Sequence, residues 1–274
     1  MITVCSIVTS DYLAHAKALS ISLHRHRVVH RLAVLVVDSL QPDVHSTEIV
    51  TLAELANINF KVRALADKYA HDLDALRWAL KPAFILHLLK LHRDNVLYAD
   101  CDMCFFGKPL ALLGPLKRQG VVLTPHWRPP LPTKDLRSFR LNFLDGLYNA
   151  GCISVGRSGA SAMAWWLDCC ISACEKNYSE GLYVDQRYLD LMPIYFSQVT
   201  VCRHRGYNLA DWNRHLRHKP TKGMALIPGR WKVRSVHFTR NTIARIETGK
   251  DAALEPYYRE YKCILAEAKE RSWH

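Results

Sequence analysis

The sequence contains no run of about 18 apolar residues, the length that a membrane-crossing helix needs, so none is expected. Its opening residues, Met1-Ile2-Thr3-Val4-Cys5-Ser6-Ile7-Val8, lack a basic stretch ahead of a long apolar one, and no signal peptide is expected. Low-complexity tracts and internal repeats are also missing. With 49% of its 274 residues hydrophobic and 23% charged, the chain is not of the disordered class and can bury one large core. The segment Val8-Thr9-Ser10-Asp11-Tyr12 has no glycine, which argues against the glycine-rich phosphate loop of nucleotidyltransferases. The net charge of +12 suits polyanionic partners. No helix-turn-helix, zinc-finger or RNA-recognition signature accompanies it, so no nucleic acid is expected. The nine cysteines are scattered and odd in number, which fits reduced thiols in a cytoplasmic protein. Cys101 and Cys104 have C-x-x-C spacing, but neither a second ligand pair nor a helix start lies nearby to make them a zinc or redox motif.

What is present is an alternation of strand and helix signals. Residues 2–9 and 31–38 are short apolar, β-branched runs, suited to strands covered on both faces. Residues 12–26 between them have helical spacing. Residues 44–56 read as a helix and 58–65 as a third strand. Residues 72–92 read as a helix and 95–100 as a fourth strand. Beyond these, 121–126 and 148–155 read as strands, 158–176 and 184–196 as helices, and 199–203 and 235–239 as short strands. Residues 254–271 read as a helix. The order predicts an α/β fold with a mostly parallel central sheet flanked by helices, residues 1–250 forming one domain and 251–274 a helical tail. Ligands of such sheets gather beyond the carboxyl ends of the strands, where Thr9, Ser10, Asp11 and Asp38 fall.

The strongest local signal is Tyr98-Ala99-Asp100-Cys101-Asp102. In an extended segment Asp100 and Asp102 would share a face. Two carboxylates on one face repel unless a cation joins them, and a hard divalent ion does so. Such an ion can also bridge to a pyrophosphate leaving group.

These residues, with Leu80-Lys81-Pro82 ahead of them, resemble glycosyltransferases of the GT-A (Rossmann-like) fold. The likeness is greatest to the glycogenin-like and bacterial lipopolysaccharide galactosyltransferase-like branch. Tyr148-Asn149-Ala150-Gly151, Val184-Asp185-Gln186 and His237-Phe238 follow in that branch's order, and the resemblance runs over residues 3–240. It implies a metal-dependent hexosyltransferase of bacterial polysaccharide biosynthesis, with a UDP-sugar donor and a glycan or lipid-linked acceptor. Asp100, Asp102 and His237 would hold manganese, or magnesium. Thr9, Asp11, Tyr12 and Asp38 would grip the nucleotide, and Lys81 the diphosphate or sugar. Asn149, Gly151, Asp185 and Gln186 would surround the transferred sugar. Gln186 would lie beneath the anomeric carbon of a retaining enzyme, whereas an inverting one would need a carboxylate base, for which Asp185 and Asp211 are candidates. The Gly…Lys-Pro-Trp ending of glycogenin-like members is replaced by Phe-Thr-Arg, leaving Lys232, Arg234 or Arg240 to take the place of that lysine. The aromatic and basic residues of the tail, Tyr257, Tyr258, Tyr261, Lys262 and Trp273 among them, suit peripheral contact with an anionic membrane's inner face.

Overall fold

The computed structural model describes residues 1–39, 49–92, 94–217 and 231–271. The chain opens with β1 (Ile2–Val8), α1 (Leu13–Arg25) and β2 (His30–Val36). β1 and β2 pair in parallel, Ile2 opposite His30 through Val8 opposite Val36. Successive side chains of β1 go to opposite faces. Val4 packs with Leu19 and Leu23 of α1, while Cys5 and Ile7 join the core on the other face. Burial on both faces is why these strands read as unbroken apolar runs.

Next come β3 (Ile49–Thr51), α2 (Leu52–Ile58), α3 (Phe60–Lys68), α4 (Leu73–His92), β4 (Asn95–Ala99) and β5 (Met103–Phe105). Of the helix expected over 44–56, residues 44–48 lie outside the described residues, 49–51 are strand, and the helix begins at 52. Thr51 fixes that start through a reciprocal capping box with Glu54. The strand expected over 58–65 is helix: Asn59 ends α2 and caps α3 by accepting from Lys61 N at 3.0 Å. Val62 and Leu65 are buried one turn apart, while Ile58 and Phe60 face solvent.

The remainder is α5 (Leu110–Leu113), β6 (Val121–Pro125), α6 (Leu136–Leu144), β7 (Tyr148–Val155), α7 (Ala160–Ser172), β8 (Lys176–Asn177), β9 (Leu182–Tyr183), α8 (Met192–Tyr195), β10 (Val199–Val201), β11 (Ser235–His237), α9 (Arg240–Glu247) and α10 (Glu255–Glu270). The helix expected over 184–196 is a turn at Val184, a 3₁₀ turn at Arg187–Asp190 and the short α8. Val184 has φ +45°, which a helix cannot accommodate.

Seven strands form the main sheet in the order β10-β6-β7-β4-β1-β2-β3. All pairs are parallel except those of β7, which runs antiparallel to both β4 and β6. α4 and α7 cover one face, and α1 the other. The reversal of β7 matters for the site, because it brings the start of β7 to the carboxyl end of β4. β5 and β11 form a separate antiparallel ribbon in which His237 opposes Met103.

The C-terminal helix lies against α1. Tyr261, Ile264 and Ala268 make its buried stripe. Tyr261 stacks on Phe238 at 4.5 Å and Tyr257 meets Phe106 edge-on at 4.8 Å, so the tail's aromatics are engaged in internal packing. Trp273 lies outside the described residues. No helix among the described residues is long and apolar enough to cross a membrane.

Candidate metal centre and its two clefts

Asp100, Asp102 and His237 each offer a ligand atom, and these atoms lie within 4.8 Å of one another. The route to this geometry differs from strand alternation. The chain turns after β4, with Met103 N donating to Asp100 O at 3.0 Å, and the turn gathers the two carboxylates. Pairing of β5 with β11 delivers His237, and Phe238 N donates to Asp102 O at 2.9 Å. His237 Nε2 sits 2.9 Å from Asp102 Oδ1 and 3.7 Å from Asp100 Oδ2.

The antiparallel β7 supplies the floor. Asp100 N donates to Gly151 O at 2.8 Å. A Cβ at Gly151 would stand 2.4 Å from Asp100 Oδ2 and 2.7 Å from His237 Cε1, so glycine's bare backbone leaves room for these groups to converge. Asn208, in left-handed backbone at φ +54°, joins His237 Nδ1 at 3.2 Å through its Oδ1. Its Nδ2 donates to Asn149 Oδ1 at 2.9 Å and Thr124 Oγ1 at 3.1 Å. Asn149 Nδ2 donates to Gln186 Oε1 at 3.2 Å, and Gln186 Nε2 to Asp145 O at 2.7 Å.

Lys81, on α4, is buried beneath this floor. Its Nζ lies 3.2 Å from Asp185 Oδ2 and 3.7 Å from Asp100 Oδ1. Burial works against its charge, but the two carboxylates outweigh burial and raise its pKa. Burial would also raise Asp100, yet Lys81 and His237 prevail and hold it below the usual carboxylate value. Asp185 is pushed up to about 6 by burial, with Asp100 adding to the shift and Lys81 opposing it. Burial disfavours protonated His237, but Asp102 and Asp100 win, so its pKa is raised. His126 is held well below the ordinary histidine value by burial and by Arg128.

Two clefts flank this region, and of the three ligand residues Asp100 and Asp102 line the smaller one while none lines the larger. One, of about 380 Å³, is lined by Tyr12, Arg77, Lys81, Asp100, Asp102 and Arg240, and walled by Tyr258, Tyr261 and Lys262 of α10. Of the four residues expected at the nucleotide, Tyr12 lines it. Thr9, Asp11 and Asp38 do not line it. Thr9 Oγ1 donates to Asp11 at 2.5 Å, and Asp38 accepts from Ser10 N at 2.7 Å and Ser10 Oγ at 2.9 Å, which fixes the β1–α1 corner. Of the three candidate basic residues, Arg240 lines this cleft, whereas Arg234 packs over Gly107. The second cleft, of about 700 Å³, is lined by His126, Arg128, Asn149, Gln186, Asp211 and Trp212, with neighbours from α6 and α9. Asp185, 1% exposed, lines neither cleft. Cys101 and Cys104 are buried free thiols, and burial pushes both up.

Sequence reasoning missed Asn208, Thr124, His126, Arg128, Trp212 and the α10 wall. Trp212 stands edge-on between His126 at 5.1 Å and His237 at 5.4 Å. Nothing local in the sequence marks which side chains around Trp212 turn inward.

No family model matches the chain. The uncharacterized protein YfnD of Bacillus subtilis is 29% identical over 221 residues, covering 76% of this chain and 68% of that protein. Three solved structures share the architecture. The galactosyltransferase LgtC, in complex with donor and acceptor sugar analogs, is 12% identical with a TM-score of 0.51, covering 97% of this chain and 95% of LgtC. An active-site mutant of LgtC gives 13% and 0.52, with 94% and 95% covered. Mouse xyloside xylosyltransferase 1 gives 14% and 0.52, with 88% and 98% covered. The mostly parallel seven-stranded sheet with its flanking helices is thus the GT-A glycosyltransferase fold that the motif order implied.

Proposed function

We propose that this protein is a metal-dependent glycosyltransferase that takes a sugar from a nucleotide diphosphate, UDP by preference, and passes it to a glycan or lipid-linked acceptor. The observation that carries the reading is the convergence of Asp100, Asp102 and His237, with both carboxylates lining the smaller cleft. Two carboxylate oxygens with one imidazole nitrogen suit manganese or magnesium, and manganese better of the two. Asn208 at the far nitrogen of His237 is the kind of outer partner that orients a ligating imidazole. A bound divalent ion would neutralise charge gathering on the departing diphosphate.

The chain's own residues take the remaining roles. In the smaller cleft Tyr12 stacks on the base, while Thr9, Asp11 and Asp38 shape the corner that presents it. Arg240 and Lys262 face the diphosphate, and Lys81 adds buried positive charge beside Asp100. Asn149 and Gln186 present amide groups to the transferred sugar, held in fixed directions by their hydrogen bonds. Asp185 acts here through Lys81, as its buried counter-charge.

Retention of anomeric configuration fits the second cleft. Its carboxylates are Asp135, Asp145 and Asp211, and each is already engaged. Asp135 bonds Ser138 and Arg214, Asp145 bonds Arg128, and Asp211 accepts from Thr242 and Thr239. The proposed reaction is a front-face one past Gln186, which lines this cleft, with the leaving phosphate oxygen taking the acceptor's proton. Asp211, whose Oδ2 carries none of these bonds, is the carboxylate that an inverting reaction would use. Cytoplasmic placement, at the inner membrane face where lipid-linked acceptors lie, belongs to the same proposal.

The test is a panel of nucleotide sugars assayed for donor hydrolysis with and without Mn²⁺. Turnover of a UDP-sugar that needs the ion, and is lost in Asp100→Ala and Asp102→Ala while both variants stay folded, is the expected result. Wild-type turnover in either variant would remove the metal assignment.

A further inference from the structure

The second cleft is built for more than a neutral sugar. Five cationic side chains line it, Arg128, Arg137, Arg214, Arg245 and Lys250, against the three carboxylates of Asp135, Asp145 and Asp211. Two of the cations are neutralised locally. Arg128 NH2 bonds Asp145 at 2.9 Å while its NH1 bonds Gly146 O at 2.7 Å, and Arg214 bonds Asp135 at 3.1 Å. The third carboxylate, Asp211, is turned to the hydroxyls of Thr239 and Thr242. That leaves Arg137 on α6, Arg245 on α9 and Lys250 with no carboxylate partner among the described residues. Arg245 Nε is buried with no hydrogen-bond partner, a cost that a ligand bound to this guanidinium would offset. Arg137 comes from α6, Arg245 from α9 and Lys250 from the turn after α9, and Asn149 and Gln186 line the same cleft. Unpaired cations gathered around one cleft repel, and an anion bound among them removes that repulsion.

We infer that the second cleft takes an acceptor carrying an anionic group, a phosphate or a carboxylate, which Arg245, Arg137 and Lys250 hold while Asn149 and Gln186 face the sugar being transferred. This rests on the glycosyltransferase reading and narrows its acceptor class. A guanidinium pair grips a phosphate or carboxylate through paired N–H donors, which sets orientation as well as affinity. The same chemistry is offered by a soluble sugar phosphate or uronate and by the phosphate of a lipid carrier.

The test titrates the full chain with glucose, glucose 6-phosphate and glucuronate by calorimetry. Saturating UDP and Mn²⁺ are present throughout, so that the smaller cleft is filled. The anionic sugars are expected to bind at least about tenfold more tightly than glucose. That ratio should fall toward unity in Arg245→Gln/Arg137→Gln and be partly kept in Arg245→Lys/Arg137→Lys. Because glucose serves as the reference within each variant, a general loss of structure would weaken all three sugars and leave a different signature. A parallel arm compares sedimentation with vesicles of phosphatidylglycerol and of phosphatidylcholine. A preference for anionic vesicles that the Gln pair abolishes assigns the anion to a lipid, and a preference confined to the soluble sugars assigns it to a soluble acceptor. Equal binding of glucose and its anionic analogues together with no vesicle preference, or a preference untouched by the Gln pair, overturns the inference. UDP binding in the same cell separates the two levels. If UDP and Mn²⁺ bind and the anion preference is absent, this inference alone falls. If UDP fails to bind while the anion preference stands, the glycosyltransferase reading falls.

Discussion

Gly151→Ala adds one methyl group at the point where the metal centre is most crowded. Its Cβ would lie 2.4 Å from Asp100 Oδ2, 2.7 Å from His237 Cε1 and 2.8 Å from Asn149 Oδ1. Ordinary contact for such an atom begins at 3.4 Å, so the Asp100 carboxylate must retreat by about 1 Å. The backbone cannot absorb this, because β7 is hydrogen-bonded on both sides, to β4 and to β6. Asp100 is itself held, by Tyr98 Oη at 2.8 Å and by Lys81. His237 is held by Asn208. The strain therefore falls on the carboxylate and imidazole that would meet at the ion. Overpacking of this kind costs about 1–3 kcal/mol of stability. A misplacement of about 1 Å in an aligned group costs roughly 100-fold in rate. Mn²⁺ affinity, measured by calorimetry, is expected to fall about 10- to 100-fold, as disturbed outer partners of metal sites do. Thermal unfolding checks that the variant is folded. A folded Ala variant that binds Mn²⁺ and turns over donor as the wild type does would show that these three side chains do not act as one centre.

Asn208→Leu removes the partner of His237 Nδ1 and leaves Thr124 and Asn149 each short of a donor. Calorimetry should show Mn²⁺ affinity lower by about 10- to 100-fold, and chemical denaturation a loss of about 1–3 kcal/mol per stranded group. Lys81→Met removes the cation shared by Asp100 and Asp185 and leaves Asp185 without its ion-pair partner. The pair should then bind a proton at neutral pH, read as an upward shift of a carboxyl signal in infrared or NMR titration, with donor turnover reduced by at least about 100-fold. The raised pKa of His237 sets a pH dependence. Without metal the protonated imidazole stabilises the fold, a contribution fully present below pH 6.5 and lost as pH rises through the folded value. An ion must displace that proton, so Mn²⁺ affinity should climb as pH rises through the same range, with proton release visible as a buffer-dependent binding enthalpy. Affinity that is flat over that range would exclude His237 as a ligand.

The fold was legible where strands are buried on both faces. β1, β2, β4 and β7 are short apolar runs because helices cover both faces of the sheet, and little else produces that pattern. The misreading at residues 58–65 has a specific cause. Ile58, Phe60 and Val62 alternate like a strand, yet Ile58 and Phe60 are exposed at the junction of two helices, and the true signal is the helical pair Val62 and Leu65 behind the Asn59 cap. The Asp-x-Asp motif was found for a reason that does not hold. Strand alternation was expected to align the carboxylates, whereas a turn closed by Met103 N gathers them. Arg240, Lys262 and Arg245 reach the clefts only because α9 and α10 fold back, which is tertiary information that no local spacing carries.

The orientation of His237 follows from backbone groups of β7 through a chain of amides. Ala150 N donates to Gln186 Oε1, so Gln186 must turn its Nε2 to Asp145 O. Gly151 N donates to Asn149 Oδ1, so Asn149 must turn its Nδ2 to Gln186. Asn149 Oδ1 also receives one proton of Asn208 Nδ2. Thr124 Oγ1, whose own proton goes to Cys152 O, receives the other. Asn208 then has only its Oδ1 to offer His237, and an oxygen can only accept, so Nδ1 must carry a proton. With Nδ1 protonated, loss of the remaining proton exposes the lone pair on Nε2, the nitrogen that faces Asp100 and Asp102. Two backbone N–H groups at the start of β7 thereby fix which nitrogen of a histidine 86 residues further along the chain, counted from Gly151 to His237, is free to bind an ion. Asn149 and Gln186 of the same chain of amides also line the second cleft.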